Sequence, residues 1–125
     1  MPKGESRYHE FPGYRVDLVP NGERVRVRFH GEVVADSRRT LSVQETKHEP
    51  VVYFPKDDVR SEFMERTDHE TFCPFKGEAS YWTLRVGDYA SENTIWGYED
   101  PFEEVAKLAG YVAFYSDRVD FEREA

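Results

Sequence analysis

Hydrophobic and polar residues alternate along most of this chain, and a period of two marks a strand with one buried face. Residues 24–29 read Arg-Val-Arg-Val-Arg-Phe, so Val25 and Val27 face one way and Arg24, Arg26 and Arg28 the other. Residues 14–19 alternate more weakly and stop at Pro20-Asn21-Gly22, a strong turn signal. Residues 32–36 and 41–45 supply two further strands. Residues 51–54 are apolar throughout, which predicts a short central strand. The clearest long strand is 79–86, with Trp82, Leu84 and Val86 on one face and Tyr81, Thr83 and Arg85 on the other. A loop over 88–92 leads to a strand at 93–98, where Trp96 and Tyr98 share a face with Thr94. Residues 111–115 predict the last buried strand, which Val119 and Phe121 extend or finish.

One register can be argued from the pattern. A three-residue loop, Phe29-His30-Gly31, sets Val27 opposite Val33 and Val25 opposite Ala35 on the inner face. It sets Arg28 opposite Glu32 and Arg24 opposite Asp36 on the outer face. A two-residue loop, His30-Gly31, mixes the faces and is disfavoured. The arginines then read as a solvated, cross-strand-paired row, with an anion-binding stripe as the alternative.

Helical signals are few. Residues 56–64 follow Pro55 and suit one or two turns, burying Val59, Phe63 and Met64. Asp100-Pro101-Phe102-Glu103 carries a cap, a first-position proline and a capping-box acid, which predicts a regular helix over about 101–108 closed by Gly110. Many short strands with one real helix give a mostly β (α+β) domain. Residues 1–13 read as a flexible N-terminal tail, with Tyr8 and Phe11 as the residues that would otherwise pin it, and residues 14–122 as a single globular domain.

Composition narrows the function classes. The chain has 125 residues, of which 38% are hydrophobic, 34% charged and 15% aromatic, enough for a packed core without staples. A net charge of −8 disfavours nucleic acid and anionic membrane as partners. There is no apolar run of membrane-spanning length and no signal-peptide pattern, so a cytoplasmic protein is expected. The single cysteine rules out an intrachain disulfide and a four-thiolate zinc site. Asp68, His69 and Glu70 are consecutive, so on a strand they cannot converge on a metal.

The candidate chemistry gathers around residues 71–82. Cys73 reads either as a small buried hydrophobe or as a nucleophile activated by Lys76. No histidine is placed locally to form a Cys-His pair, since His69 lies four residues away on an extended chain. Lys76 sits before Gly77 at a turn, either exposed or held over a pocket. Tyr81, Trp82, Trp96, Tyr98 and Tyr115 are either core residues or the walls of a small-molecule cleft. On the cleft reading, the 73–77 turn is its lip and Lys76 its main polar contact. Lys76→Met is then expected to spare the fold and weaken binding of an acidic or carbonyl-bearing ligand.

The run Thr71-Phe72-Cys73-Pro74-Phe75-Lys76-Gly77-Glu78-Ala79-Ser80-Tyr81-Trp82 resembles a motif of a small bacterial family called domain of unknown function 427. Tyr53-Phe54-Pro55 with Asp58-Val59, Trp96-Gly97-Tyr98-Glu99-Asp100-Pro101 and Gly110-Tyr111-Val112-Ala113-Phe114-Tyr115 with Val119-Asp120 fit the same pattern. The resemblance implies a β-tent or Mss4-like fold: two antiparallel sheets meeting along one edge around an open cleft, with one short and one regular helix. Zinc-binding members of that fold use paired Cys-x-x-Cys knuckles, which this chain lacks, and the catalytic cysteine of the B-type methionine sulfoxide reductases lies in a different motif. The family bears a nucleotidyltransferase-like label, which no paired-carboxylate metal motif here supports.

The expectation is therefore a metal-free domain that needs no cofactor and binds an unknown small molecule. Cys73, Lys76, Tyr81, Trp82, Trp96, Tyr98 and Tyr115 are its candidate site. An enzyme using Cys73 or Lys76 is the alternative. An interaction domain acting through a sheet edge, with a homodimer among its possible states, is the third reading.

Overall fold

Strand periodicity fixes most of the architecture. A computed structural model describes residues 6–124. It contains ten strands: β1 (Val16–Pro20), β2 (Arg24–Phe29), β3 (Glu32–Ser37), β4 (Leu41–Glu45), β5 (Val51–Pro55), β6 (Met64–Cys73), β7 (Gly77–Val86), β8 (Tyr89–Gly97), β9 (Tyr111–Phe114) and β10 (Asp120–Glu124). They form two sheets, antiparallel throughout: a seven-stranded one in the order β1-β4-β5-β9-β8-β7-β6 and a three-stranded one in the order β10-β2-β3.

The central strands of the large sheet bury both faces, and alternation assigns their residues to one of two cores. On one face Phe54, Trp82, Leu84, Ile95 and Phe114 pack against Val25 and Val27 of the small sheet. On the other, Val43, Tyr53, Tyr81, Tyr98 and Ala113 pack against Phe102, Val105 and Leu108. Trp82 pairs with Ile95 and Tyr81 with Trp96, so the two tryptophans lie on opposite faces of neighbouring strands.

The β2–β3 register differs from the expected one. The loop is the two-residue His30-Gly31, both at positive φ (48° and 83°), with Phe29 opposite Glu32 and Val27 opposite Ala35. An irregularity after Val27 leaves Val34 as an extra residue on β3, so Val34 and Ala35 are both buried. The bulge restores the face that a short loop would otherwise mix. Arg24 still grips Asp36, at 2.9 and 2.6 Å, but Arg28 pairs with Glu122 of β10 at 2.8 Å. The arginine row is half-buried and paired with acids, while Val25 and Val27 are fully buried.

The helical expectation fails at 101–108. This stretch is a 3-10 segment, Glu103–Leu108, broken at Val105 (φ −128°, ψ 35°), and Phe102 rather than Asp100 occupies the cap position. The reason is tertiary. The Phe102 amide donates to the Lys76 carbonyl at 3.0 Å, which holds this stretch against the 73–77 turn and prevents a helix from starting at Pro101. Residues 56–64 form two short 3-10 turns, Lys56–Asp58 and Ser61–Phe63, and between them Val59 is extended and bridges Ala35. The loop expected over 88–92 is instead part of β8, reached by a two-residue turn with Gly87 at φ 58°.

The proposed tail divides at the limit of description. Residues 1–5 lie outside the described residues. Beyond them, the Arg7 amide donates to the Pro74 carbonyl at 2.9 Å and the Tyr8 hydroxyl to the Phe75 carbonyl at 2.7 Å. Among the described residues no helix is long and apolar enough to cross a membrane.

Close packing of β8 on β9 depends on Gly97, where a Cβ would lie 2.7 Å from the Tyr111 carbonyl oxygen. Gly97→Ala is expected to destabilise the fold by about 1–3 kcal/mol, read from the urea midpoint. An unchanged midpoint would mean that the two strands part without cost.

Candidate functional site

The alternation of β4 points Leu41 and Val43 inward and carries the same face on to Glu45 at the strand's end. A carboxylate thereby ends up at a core-facing position, and its partner comes from the far side of the sheet. The chain leaves β6 at Cys73, turns through Pro74-Phe75-Lys76 and enters β7 at Gly77, whose φ of 113° favours glycine. The Lys76 amide donates to the Cys73 carbonyl at 3.2 Å, tightening the turn. This aims the Lys76 side chain inward, where its ammonium donates to Glu45. Lys76 is only 7% exposed.

Two more groups complete this polar cluster. The Tyr14 hydroxyl donates to the second Glu45 oxygen, and the Cys73 sulfur lies 3.8 Å from the Lys76 nitrogen. His48 stands 3.8 Å from Glu45 on the outer side. Burial pushes the Glu45 carboxyl up, but hydrogen bonds from Lys76 and Tyr14 more than offset it, and the net shift is downward. Burial and the Glu45 contact push the Tyr14 hydroxyl up. Aromatic packing anchors the turn: Phe75 stacks on Tyr14 at 3.8 Å between ring centres and meets Tyr8 and Phe11 edge-on. Burial raises Tyr8 to about 12.

Beneath the turn lies a cavity of about 510 Å³. Cys73, Lys76, Glu45 and Tyr14 form its polar end, and Tyr53, Trp96 and Tyr98 wall it. The Trp96 indole donates to the Tyr53 hydroxyl at 3.1 Å, which locks both rings. Burial pushes the Tyr53 and Tyr98 hydroxyls up.

A family model described as "Domain of unknown function (DUF427)" matches residues 17–125. The chain belongs to this family. No curated protein matches it. The domain of unknown function 427 match takes in Glu45 and the whole 73–77 turn, and it begins after Tyr14 and Tyr8. The contacts that Arg7, Tyr8, Phe11 and Tyr14 make with the turn therefore come from outside the matched segment.

Of the residues singled out from the sequence, Cys73, Lys76, Trp96 and Tyr98 share this cavity. Tyr81 is buried on the same face, with its hydroxyl 2.9 Å from that of Thr71. Tyr115 tilts over Trp96 at 4.6 Å and lines a second hollow beyond it. Trp82 is on the other face, 4% exposed, with Lys56 and Arg66 over its ring at 4.9 and 5.7 Å. Asp68, His69 and Glu70 are exposed on edge strand β6. Among the described residues no group of three His, Cys, Asp or Glu side chains is placed to hold a metal ion. Sequence reasoning missed Glu45, Tyr14 and Tyr53; only Glu45 carried a signal, as a charge continuing the inward period of Leu41 and Val43.

The buried pair revises the expectation for Lys76→Met. Removing the cation strands the Glu45 carboxylate, so the cost is expected at about 3–5 kcal/mol. Glu45→Gln combined with Lys76→Met should recover much of it, because neither charge is then left alone. Chemical denaturation of the three variants checks this, and an additive double variant would count against the pair.

Glu45 also sets an acid limb. Its folded pKa is depressed, so its stabilisation is fully present above the unfolded value of about 4.3 and is lost as pH falls through the lower folded value. The stability gap between wild type and Glu45→Gln should therefore narrow from pH ~5 downward. A gap independent of pH would refute the assignment.

Proposed function

We propose that this domain binds a small, flat, largely uncharged molecule in the cavity beneath the 73–77 turn. The observation that carries the reading is the aromatic-walled hollow closed at one end by a self-neutralised ion pair. Small-molecule sites combine apolar walls with a few fixed polar groups, and the rings of Tyr53, Trp96 and Tyr98 beside Lys76 and Tyr14 have that character. Because Glu45 already balances Lys76, a carbonyl or hydroxyl suits the polar end better than a full negative charge. The arrangement of two antiparallel sheets is in keeping with a β-tent, Mss4-like fold, and the ligand would sit on the face of the large sheet away from the small one.

A metabolite screen by thermal shift, followed by protection of Cys73 from iodoacetamide, tests the reading. A true occupant should raise the melting temperature saturably and slow alkylation of Cys73, because the thiol lines the same cavity. Tyr98→Phe should weaken that occupant by roughly tenfold if its hydroxyl is a contact. Compounds that stabilise the protein without protecting Cys73 would place binding elsewhere and defeat the proposal.

A second reading has its own observation: Lys76 bridges Glu45 and the Cys73 sulfur. In this reading Cys73 attacks an acyl carbonyl, the thiol proton passes toward the Lys76–Glu45 pair, and the leaving group takes a proton as the thioester forms. Water then releases the acid and regenerates the thiol. A mass increase at Cys73 with an activated ester, slowed by Glu45→Gln, would favour it. Labelling at the rate of a free thiol would exclude it.

A further inference from the structure

A second polar site lies away from the cavity and shares no residue with it. Ten of the twelve arginines face a carboxylate within ion-pair distance. Arg118 lies over the Tyr115 ring and donates to the Glu92 carbonyl. Arg38, like Arg118, has no ion pair among the described residues, and neither has Lys107, but Arg38 lacks the ring and carbonyl contacts that hold Arg118. In a chain of net charge −8 with acids to spare, two such cations side by side are unusual.

Both line one hollow of about 590 Å³, together with Asn21, Arg39, Thr40 and Tyr111. Two of the acids nearby are already engaged. Asp58 is held by Arg39 at 2.8 Å and by the Ser37 hydroxyl at 2.6 Å. Asp36, whose carboxyl is lowered chiefly by Arg24 and more weakly by Arg26 and Arg38, is gripped by Arg24 at 2.9 and 2.6 Å. The Asn21 amide donates to the Thr40 carbonyl at 3.0 Å and fixes the turn after β1 against the residues that carry the cations.

Thr40 supplies an independent observation. It is 1% exposed, and its hydroxyl is the only buried side-chain N or O atom among the described residues without a hydrogen-bond partner. Buried hydroxyls are almost always paired. Thr40 lines the hollow that also holds two cations without an ion pair, and its orphan donor adds to them the donor set an oxyanion requires.

We propose that this hollow binds a phosphoryl group, with Arg38 and Lys107 supplying charge and Thr40 a hydrogen bond. Two cations outside any ion pair match a phosphate dianion, and the Arg38 guanidinium suits bidentate contact with its oxygens.

The test follows amide shifts by 15N NMR while inorganic phosphate, or separately glycerol 3-phosphate, is titrated at constant ionic strength. Saturable shifts at Asn21, Arg38 and Thr40 are expected. Arg38→Gln with Lys107→Gln should weaken binding at least about tenfold. Thr40→Val should weaken it several-fold without lowering the melting temperature, since it removes an unpaired hydroxyl from a buried site. Tighter binding of the ester would identify a phosphorylated metabolite as the ligand, and equal or tighter binding of inorganic phosphate would identify the free ion. Shifts that rise linearly without saturating, or that persist unchanged in the double glutamine variant, would overturn the proposal. So would a Thr40→Val protein that binds as well as wild type.

Discussion

The Glu45–Lys76 ion pair joins the two ends of the large sheet. Glu45 ends β4, next to edge strand β1, while Lys76 follows β6, the opposite edge. Among the described residues no strand ladder connects those edges, and this side-chain pair spans the gap between them. A charge pair removed from water repays its desolvation only when the remaining lone pairs and protons also find partners. Tyr14 meets that requirement on the carboxylate, and its ring stacks on Phe75 in the same turn. The turn in turn positions the Phe102 amide, and with it the 3-10 segment that covers the second core. Cavity, turn and cover all meet at this one ion pair.

The strands were legible because their information is local. Period-two alternation survives in β2, β4 and β7 whatever packs against them, and it placed Val25, Val27 and Leu84 inside. The expected helix at 101–108 failed because its cap signal was also local, while the competing bond, from Phe102 to Lys76, spans a turn 26 residues earlier in the chain. The hairpin register failed for a related reason. A bulge can repair the face of a hairpin, so matching faces alone does not determine loop length. The site was half legible: the 73–77 turn announced itself by composition, but Glu45 lies 31 residues from Lys76, and no periodicity links them.

The two tryptophans show why residue type alone could not separate core from site. Trp82 and Trp96 sit on paired strands one register step apart, which in a sheet reverses the face. Trp82 packs in the core under the small sheet and carries Lys56 and Arg66 on its ring. Trp96 faces the hollow and spends its indole N–H on Tyr53. A sheet buried on both faces makes every large aromatic look like core in the sequence, and only the cover on each face distinguishes the two roles.

The same dependence on place governs charge. Alternation puts Arg24, Arg26 and Arg28 on one face of β2, the central strand of the small sheet, between Asp36 on β3 and Glu122 and Glu124 on β10. Each cross-strand pair contributes only about 0.2–1 kcal/mol, so the row adds little to stability. Its larger effect is to cancel: an arginine stripe that would attract anions presents almost no net field. Net charge is therefore a poor guide to how charge is distributed over this surface. The two cations that line the second hollow without an ion pair, Arg38 and Lys107, come instead from the β3–β4 connection and the 3-10 segment.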